Sequence, residues 1–463
     1  MAYTTIDDPT IYFNTKLYTG NGSTQSITGV GFQPDWLWIK NRSGSNNHIL
    51  QDAVRGATKS LESDGTAAET TSSTRVTSFD SDGFSIGSAG TNNTNSNNYV
   101  SWNWLAGGTA PAITYNVKVV SDSGNKYRFD DFGTSAVTLD LQEGGTYTFD
   151  QSDSSNSGHP LRFSTTSNGT HGGGSEYTTG VTTTGTPGSS GAKTVITVAA
   201  SAPTLYYYCT QHSGMGGQAN TNSLFGSSNF SGSIQSTASA GSTQGLSIVS
   251  FTGNSTAGAT VGHGLGVVPS VVLVKSRDGT YGWGMYHHKN TSAPETDYLS
   301  INNTDATVDD VNFWNDTAPT SSVFSLGGTD AINKTSNGHV AYCFAEKKGY
   351  SKFGSYVGNG NANGTFVYTG FKPALIILKE SSASGDNWRI IDNKRLGYNE
   401  NNYPMYPSVS NAEGTEIACD MLSNGFKLRS TGGGTNQSGN TFIYICFAES
   451  PFVNSNGVPT NAR

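Results

Sequence analysis

The chain has 463 residues, 58 of them glycine, well above the usual ~7%, and only 13% are charged where ~25% is typical. An aromatic content of 11% excludes a disordered chain, and a formal charge of −8 with no Lys/Arg run excludes a phosphate-neutralising nucleic-acid surface. Short apolar runs separated by Gly, Asn, Ser and Thr predict an all-β protein rich in tight turns, because Gly and Asn supply the positive φ that such turns need.

In chain order, Met1 to Thr10 has neither the basic start nor the apolar stretch of a secretory signal. The longest apolar runs, such as Ala374 to Leu378, are strand-sized and far short of the ~20 residues of a membrane helix, so no membrane insertion is expected. Four cysteines in this length form no disulfide framework, which fits synthesis in a reducing compartment.

A skeleton then recurs three times. Thr19-Gly20-Asn21, Thr252-Gly253-Asn254 and Gly358-Asn359 open the units. A proline follows, then an apolar run ending in lysine, with equal spacing from Pro34 to Lys40, Pro269 to Lys275 and Pro373 to Lys379. Downstream, Phe84, Phe324 and Phe426 align, and each unit closes on an aromatic strand ending at Trp104, Phe344 or Phe447. Proline suits the first position of a strand, and runs apolar on both faces suit a sandwich interior. The repeat predicts tandem antiparallel β-sandwich modules, strung one after another, with their closing strands central and buried. Between the first and second units lies an insertion of about one domain, near Gly107 to Gly241, flanked by Gly/Pro-rich and Ser/Gly/Thr-rich stretches that read as linkers.

The insertion contains Gly158-His159-Pro160-Leu161-Arg162-Phe163 and, later, Tyr208-Cys209-Thr210-Gln211-His212-Ser213-Gly214-Met215. It resembles the cupredoxin (blue copper) fold, in which a histidine precedes one strand and a Cys-x-x-His-x-x-Met loop follows an aromatic strand. The resemblance implies a copper site with Cys209 as thiolate, His159 and His212 as imidazoles and Met215 as the long axial ligand, the trigonal set that copper prefers in electron transfer. The same residues also fit a module that has kept the fold and lost the metal. The resulting domain reading is 1–108 for module 1, 109–226 for the cupredoxin-like domain, 227–245 for a linker, 246–349 for module 2 and 350–463 for module 3.

Other motifs read as structure. Gly83-Phe84-Ser85-Ile86-Gly87 fits a G-x-S-x-G nucleophile pattern, but the aligned position becomes Lys427 in the third unit and no helix follows. Asp52 with Arg55 and Asp392 with Arg395 read as surface ion pairs. Cys343 and Cys446, in the same slot of two closing strands, read as small buried hydrophobes.

Met1-Ala2-Tyr3-Thr4-Thr5-Ile6-Asp7-Asp8-Pro9, Leu17-Tyr18-Thr19-Gly20-Asn21-Gly22, Gly31-Phe32-Gln33-Pro34-Asp35 and the Tyr-Cys-x-x-His-Ser-Gly-Met segment together resemble tail-fibre and related virion structural proteins of marine tailed phages. That resemblance implies a non-enzymatic virion protein, assembled in the host cytoplasm. Its place would be a tail fibre or tail-associated appendage that displays β-modules for host attachment, or alternatively a capsid-associated fibre or decoration protein. A surface-polysaccharide depolymerase and a copper-binding adhesin are the other readings. The implied partners are two further copies in a homotrimer, other tail or capsid proteins, and a host surface receptor, with glycan as a candidate. Trp283, Tyr286, His287, Trp388 and Tyr398 are the candidate glycan-stacking residues, expected on loops, since aromatic rings with polar tips suit a sugar face.

Overall fold

A computed structural model describes residues 3–222, 224–395, 399 and 403–460. The three repeats form the same sheet. In each, the closing strand (Asn98–Trp104, Gly338–Phe344, Thr441–Pro451) lies between the opening strand and the Pro-to-Lys strand, antiparallel to both. The register repeats: Trp36 faces Trp104, Val271 faces Phe344 and Leu375 faces Phe447. A fourth strand (Ile49–Asp52, Gly284–His287, Arg389–Asp392) pairs on the outer side, again in matching register. The closing strands are central and buried, as the repeat predicts.

The runs are apolar on both faces because each face enters a different core. Side chains alternate across a strand. One set (Leu37 and Ile39; Val272 and Val274; Ile376 and Leu378) packs against that module's small second sheet around Phe84, Phe324 or Phe426. The other set (Trp36 and Trp38; Val271 and Leu273; Leu375 and Ile377) enters one core shared by all three modules. Trp104 and Phe344 each pack a ring against Phe447, with centroids 5.7 and 5.9 Å away, so the three aligned aromatics converge. Six of the seven tryptophans lie in this shared core. The expectation of modules strung one after another is therefore corrected: the second face of each sheet is too apolar to meet water and is buried between modules instead.

The Gly-Asn anchor has a mechanical reason. A buried asparagine in each module (Asn93, Asn333, Asn436) accepts the backbone N–H of Asn21, Asn254 or Asn359 through its side-chain oxygen. Its amide donates to carbonyls of the same corner, among them Gly87, Gly327 and Ser430. A Cβ on Gly20, Gly253 or Gly358 would overlap the carbonyl oxygen of Thr94, Lys334 or Gln437, so only glycine fits there.

The repeat lysines are fully buried, and each aims its ammonium at backbone carbonyls. Lys40 donates to Asn41, Gly44 and Ser410; Lys275 to Ser276, Gly279 and Thr66; Lys379 to Asp386 and Thr304. Burial pulls all three down to about 8.

The inserted domain is a sandwich of two five-stranded sheets. Each contains one parallel pair: Ala112–Asn116 with Thr146–Asp150, and Leu139–Gln142 with Ala219–Asn222. Its aromatic core includes Tyr115, Phe129, Phe149 and Phe163. It leaves module 1 at Gly107-Gly108, where Asp35 accepts the N–H groups of Ala106 (2.7 Å) and Gly108 (3.0 Å). Residues 227–245, expected as a linker, are instead strands. Ser227–Asn229 pairs with Ser236–Gly241, which runs along Leu246–Thr252 and widens module 2's sheet to six strands. Its small Ser, Thr and Ala side chains read as linker composition, but an unpaired sheet edge gives their backbone a ladder.

Candidate metal centre

The inserted domain brings a thiol and two imidazoles together. Strand Leu161–Ser164 pairs antiparallel with Leu205–Cys209, with Leu161 opposite Cys209. His159, just before Leu161, therefore lies beside the loop that follows Cys209, and the Thr210 N–H donates to the Pro160 carbonyl at 3.2 Å. The His159 carbonyl accepts the Tyr127 hydroxyl and the Gln151 amide, both at 2.9 Å, and the His159 N–H donates to Asn156 at 2.8 Å.

The Cys-to-Met loop is pinned from two directions. Asn168 donates from its amide nitrogen to the Ser213 hydroxyl and accepts the Gly214 N–H, each at 2.8 Å. The Met215 carbonyl accepts the Tyr127 N–H at 3.0 Å. Gly216 closes the loop against the preceding strand, where a Cβ would overlap the Tyr207 carbonyl. His171 lies with Nε2 3.0 Å from the Cys209 carbonyl oxygen. Tyr127, on one strand, and Asn168 and His171, together in one distant turn, escape sequence reading because both segments are far in sequence from the Cys-to-Met loop. Only Asn168, in an Asn-Gly-Thr turn, carried a local signal.

The Cys209 sulfur is buried and stands 3.8 Å from Nδ1 of His159 and 3.8 Å from Nδ1 of His212. The three donor atoms lie within 4.8 Å of one another, and the two imidazole rings are 4.5 Å apart. A metal bound about 2.3 Å from sulfur and about 2.0 Å from nitrogen at a trigonal angle requires a sulfur–nitrogen separation of about 3.7 Å. The geometry fits. Burial, and then the neighbouring His212, lowers the basicity of His159 and keeps its ring in the neutral form that can ligate. Burial, and next the nearby Cys209, raises the Tyr127 phenol, so it stays a neutral donor. Met215 is buried in the same apolar cluster as Cys209. His212 faces solvent, which gives the centre one open edge.

The candidate glycan-stacking residues lie elsewhere and are not a surface. Trp283 and Trp388 are fully buried, and their indole N–H groups donate at 2.9 Å to the carbonyls of Glu62 and Ser300. Tyr286 is buried in module 2's own core beside Trp314. His287 is buried with Nε2 3.2 Å from the Tyr444 carbonyl, and burial pushes its basicity down to about 3. The expectation of exposed loop aromatics is corrected for these four. Trp283, His287 and Trp388 lie at module–module contacts, where their polar tips meet a neighbour's carbonyl, while Tyr286 fills the interior of its own module. Tyr398 lies outside the described residues.

The pairs Asp52–Arg55 and Asp392–Arg395, expected at the surface, are fully buried. Arg55 reaches on to Glu69 and Arg395 to Glu413, each at 2.9 Å. Their burial follows from their position at the end of the outer strand that faces the shared core.

A family model described as a domain of unknown function (DUF7483) matches residues 8–130 and 173–451. Cys209, His212 and Met215 fall within the match, and His159 lies in the intervening segment. No curated protein and no solved structure matches the chain.

Proposed function

We propose that this protein, which belongs to the DUF7483 family, is a non-enzymatic structural protein of a tailed-phage virion: a stiff β-appendage carrying one cupredoxin-like domain. The observation that carries the reading is the core shared by all three modules, with six of the seven tryptophans inside it. Such a core resists hinge motion between modules, as suits a part that must hold a fixed shape outside the cell. The sequence resemblance to tail-fibre and related virion proteins supports the same reading. Under it, the partners are other tail or capsid proteins and a host surface receptor. The test is negative-stain imaging of purified virions labelled with antibody to this chain. Label on the tail or its fibres is the expected result, label on the capsid moves the protein to a decoration role, and unlabelled virions overturn the reading.

A second reading rests on a separate observation, the equal 3.8 Å spacing of two imidazole nitrogens about the Cys209 sulfur. Under it, His159, Cys209 and His212 would hold a copper ion, with Met215 buried in the cluster beside Cys209. The ion would supply one-electron redox chemistry. The chain's own part would be to bury the Cys209 sulfur, to hold both imidazole nitrogens beside it and to leave His212 as the solvent-facing edge. Addition of Cu(II) to the full-length protein should produce an intense thiolate-to-copper visible band that Cys209→Ser abolishes. A colourless wild type that binds copper no better than the variant overturns this reading and leaves the virion proposal standing.

A further inference from the structure

The contacts between modules repeat in one cyclic sense. Counting along each module, three equivalent triplets occur at the end of the outer strand and in the loop beyond it: Asp52, Arg55 and Glu69; His287, Asn290 and Thr307; Asp392, Arg395 and Glu413. The first member always reaches the next module's closing strand. Asp52 of module 1 accepts the Tyr342 hydroxyl of module 2 at 2.8 Å. His287 of module 2 meets the Tyr444 carbonyl of module 3 at 3.2 Å. Asp392 of module 3 accepts the Trp102 indole of module 1 at 3.0 Å.

The third member repeats the pattern through its backbone. The N–H groups of Glu69, Thr307 and Glu413 donate to the carbonyls of Arg277, Ser381 and Arg42, always in the next module. Three residues earlier, the carbonyls of Thr66, Thr304 and Ser410 cap the buried lysine of that same next module. The chain runs directly from module 2 to module 3 and through the inserted domain from module 1 to module 2, while no peptide links module 3 back to module 1. These backbone contacts and lysine caps are the same at all three junctions, so tethering does not create them.

We infer that the protein is a trimer built from one polypeptide, and that it is therefore monomeric. Each module's assembly face is covered by the next module of the same chain, and the ring closes without a second copy. The threefold arrangement expected between copies is already present within one, so each body carries a single inserted domain. The junction from module 2 to module 3 is the divergent one: the module 2 triplet is neutral, and Ile445 of module 3 stands where the other two junctions have Tyr342 and Trp102. This inference does not depend on a virion location.

Two measurements on the full-length chain test it. Light scattering from micromolar to tens of micromolar should give one mass of 48.6 kDa; a mass three times larger overturns the inference. The equivalence of the junctions is tested by His287→Asp alone and by His287→Asp, Asn290→Arg and Thr307→Glu together. The single change buries an unpaired carboxylate and should lower the melting temperature. The triple change restores the acid–arginine–acid set of the other junctions and should recover at least half of that loss. A triple variant no more stable than the single one overturns the equivalence on which the inference rests.

Discussion

Trp102 and Asp392, 290 residues apart, meet in a 3.0 Å hydrogen bond from indole nitrogen to carboxylate that joins the first module to the third. The same carboxylate oxygen takes the Arg395 Nε–H at 2.7 Å, so one buried acid serves both its own module and the next. Asp392→Asn leaves Arg395 buried with only Glu413 to balance it. Urea unfolding should show a loss of about 3–5 kcal/mol, the range for breaking a buried ion pair. Trp102→Phe removes a donor to a charged acceptor, worth about 1.5–3 kcal/mol, and leaves a cavity where the larger fully buried ring lay, so it should cost at least that much. The double variant should be less unstable than the sum, because the two side chains are in contact.

The three buried lysines predict a pH dependence. Each is pulled from an ordinary value of 10.5 to about 8 by burial. Between those values the unfolded chain holds a proton that the folded chain does not, so stability rises with pH across this window. Lys275→Met should flatten the stability curve from pH 8 to 10 by up to about 1.4 kcal/mol per pH unit. Parallel curves for variant and wild type would show that the lysine keeps its proton at the carbonyls throughout.

Asp35 predicts the opposite slope. Burial raises it from 3.8 to about 7 against the pull of its two backbone donors, and its second oxygen is buried without a hydrogen-bond partner. Here the folded chain holds a proton that the unfolded chain has lost, so this group's contribution falls as pH rises from about 4 to about 7. Asp35→Asn should remove that fall, read as a smaller difference in urea midpoint between pH 5 and pH 8.

The metal centre predicts loss of binding from a residue that touches no metal. Gly216→Ala forces the loop away from the Tyr207 carbonyl. In a Cu(II) titration it should weaken or erase the visible band while circular dichroism still reports a folded β-protein. Because His159 is less basic than an ordinary imidazole, protons compete with metal at that ligand only below the usual histidine range. Acid titration of the band should place that ligand's loss below pH 6.5.

The repeat was legible because its anchors are local. A proline just before a strand or at a bulge near its start, a lysine near its end and a glycine–asparagine corner each follow from backbone geometry within a few residues, and the proline-to-lysine spacing is constant. The loop from Cys209 to Met215 was legible for the same reason. The partners Tyr127, Asn168 and His171 were not, since they reach the site from a strand and a turn far from that loop in sequence.

Composition and periodicity by themselves determined the all-β class, the three repeats and the presence of an insertion, and the resemblance to cupredoxins implied the short list of metal-ligating side chains. Only the tertiary structure decided where the second face of each repeat goes. An apolar strand face reads identically whether it meets its own module or a neighbour, because alternation encodes which side a residue takes and not what lies beyond it. That ambiguity made Trp283 and Trp388 look like surface rings and Asp52 and Asp392 like surface acids. Burial between modules, the outcome of three apolar faces meeting in one place, turned all four into the contacts that hold the ring together.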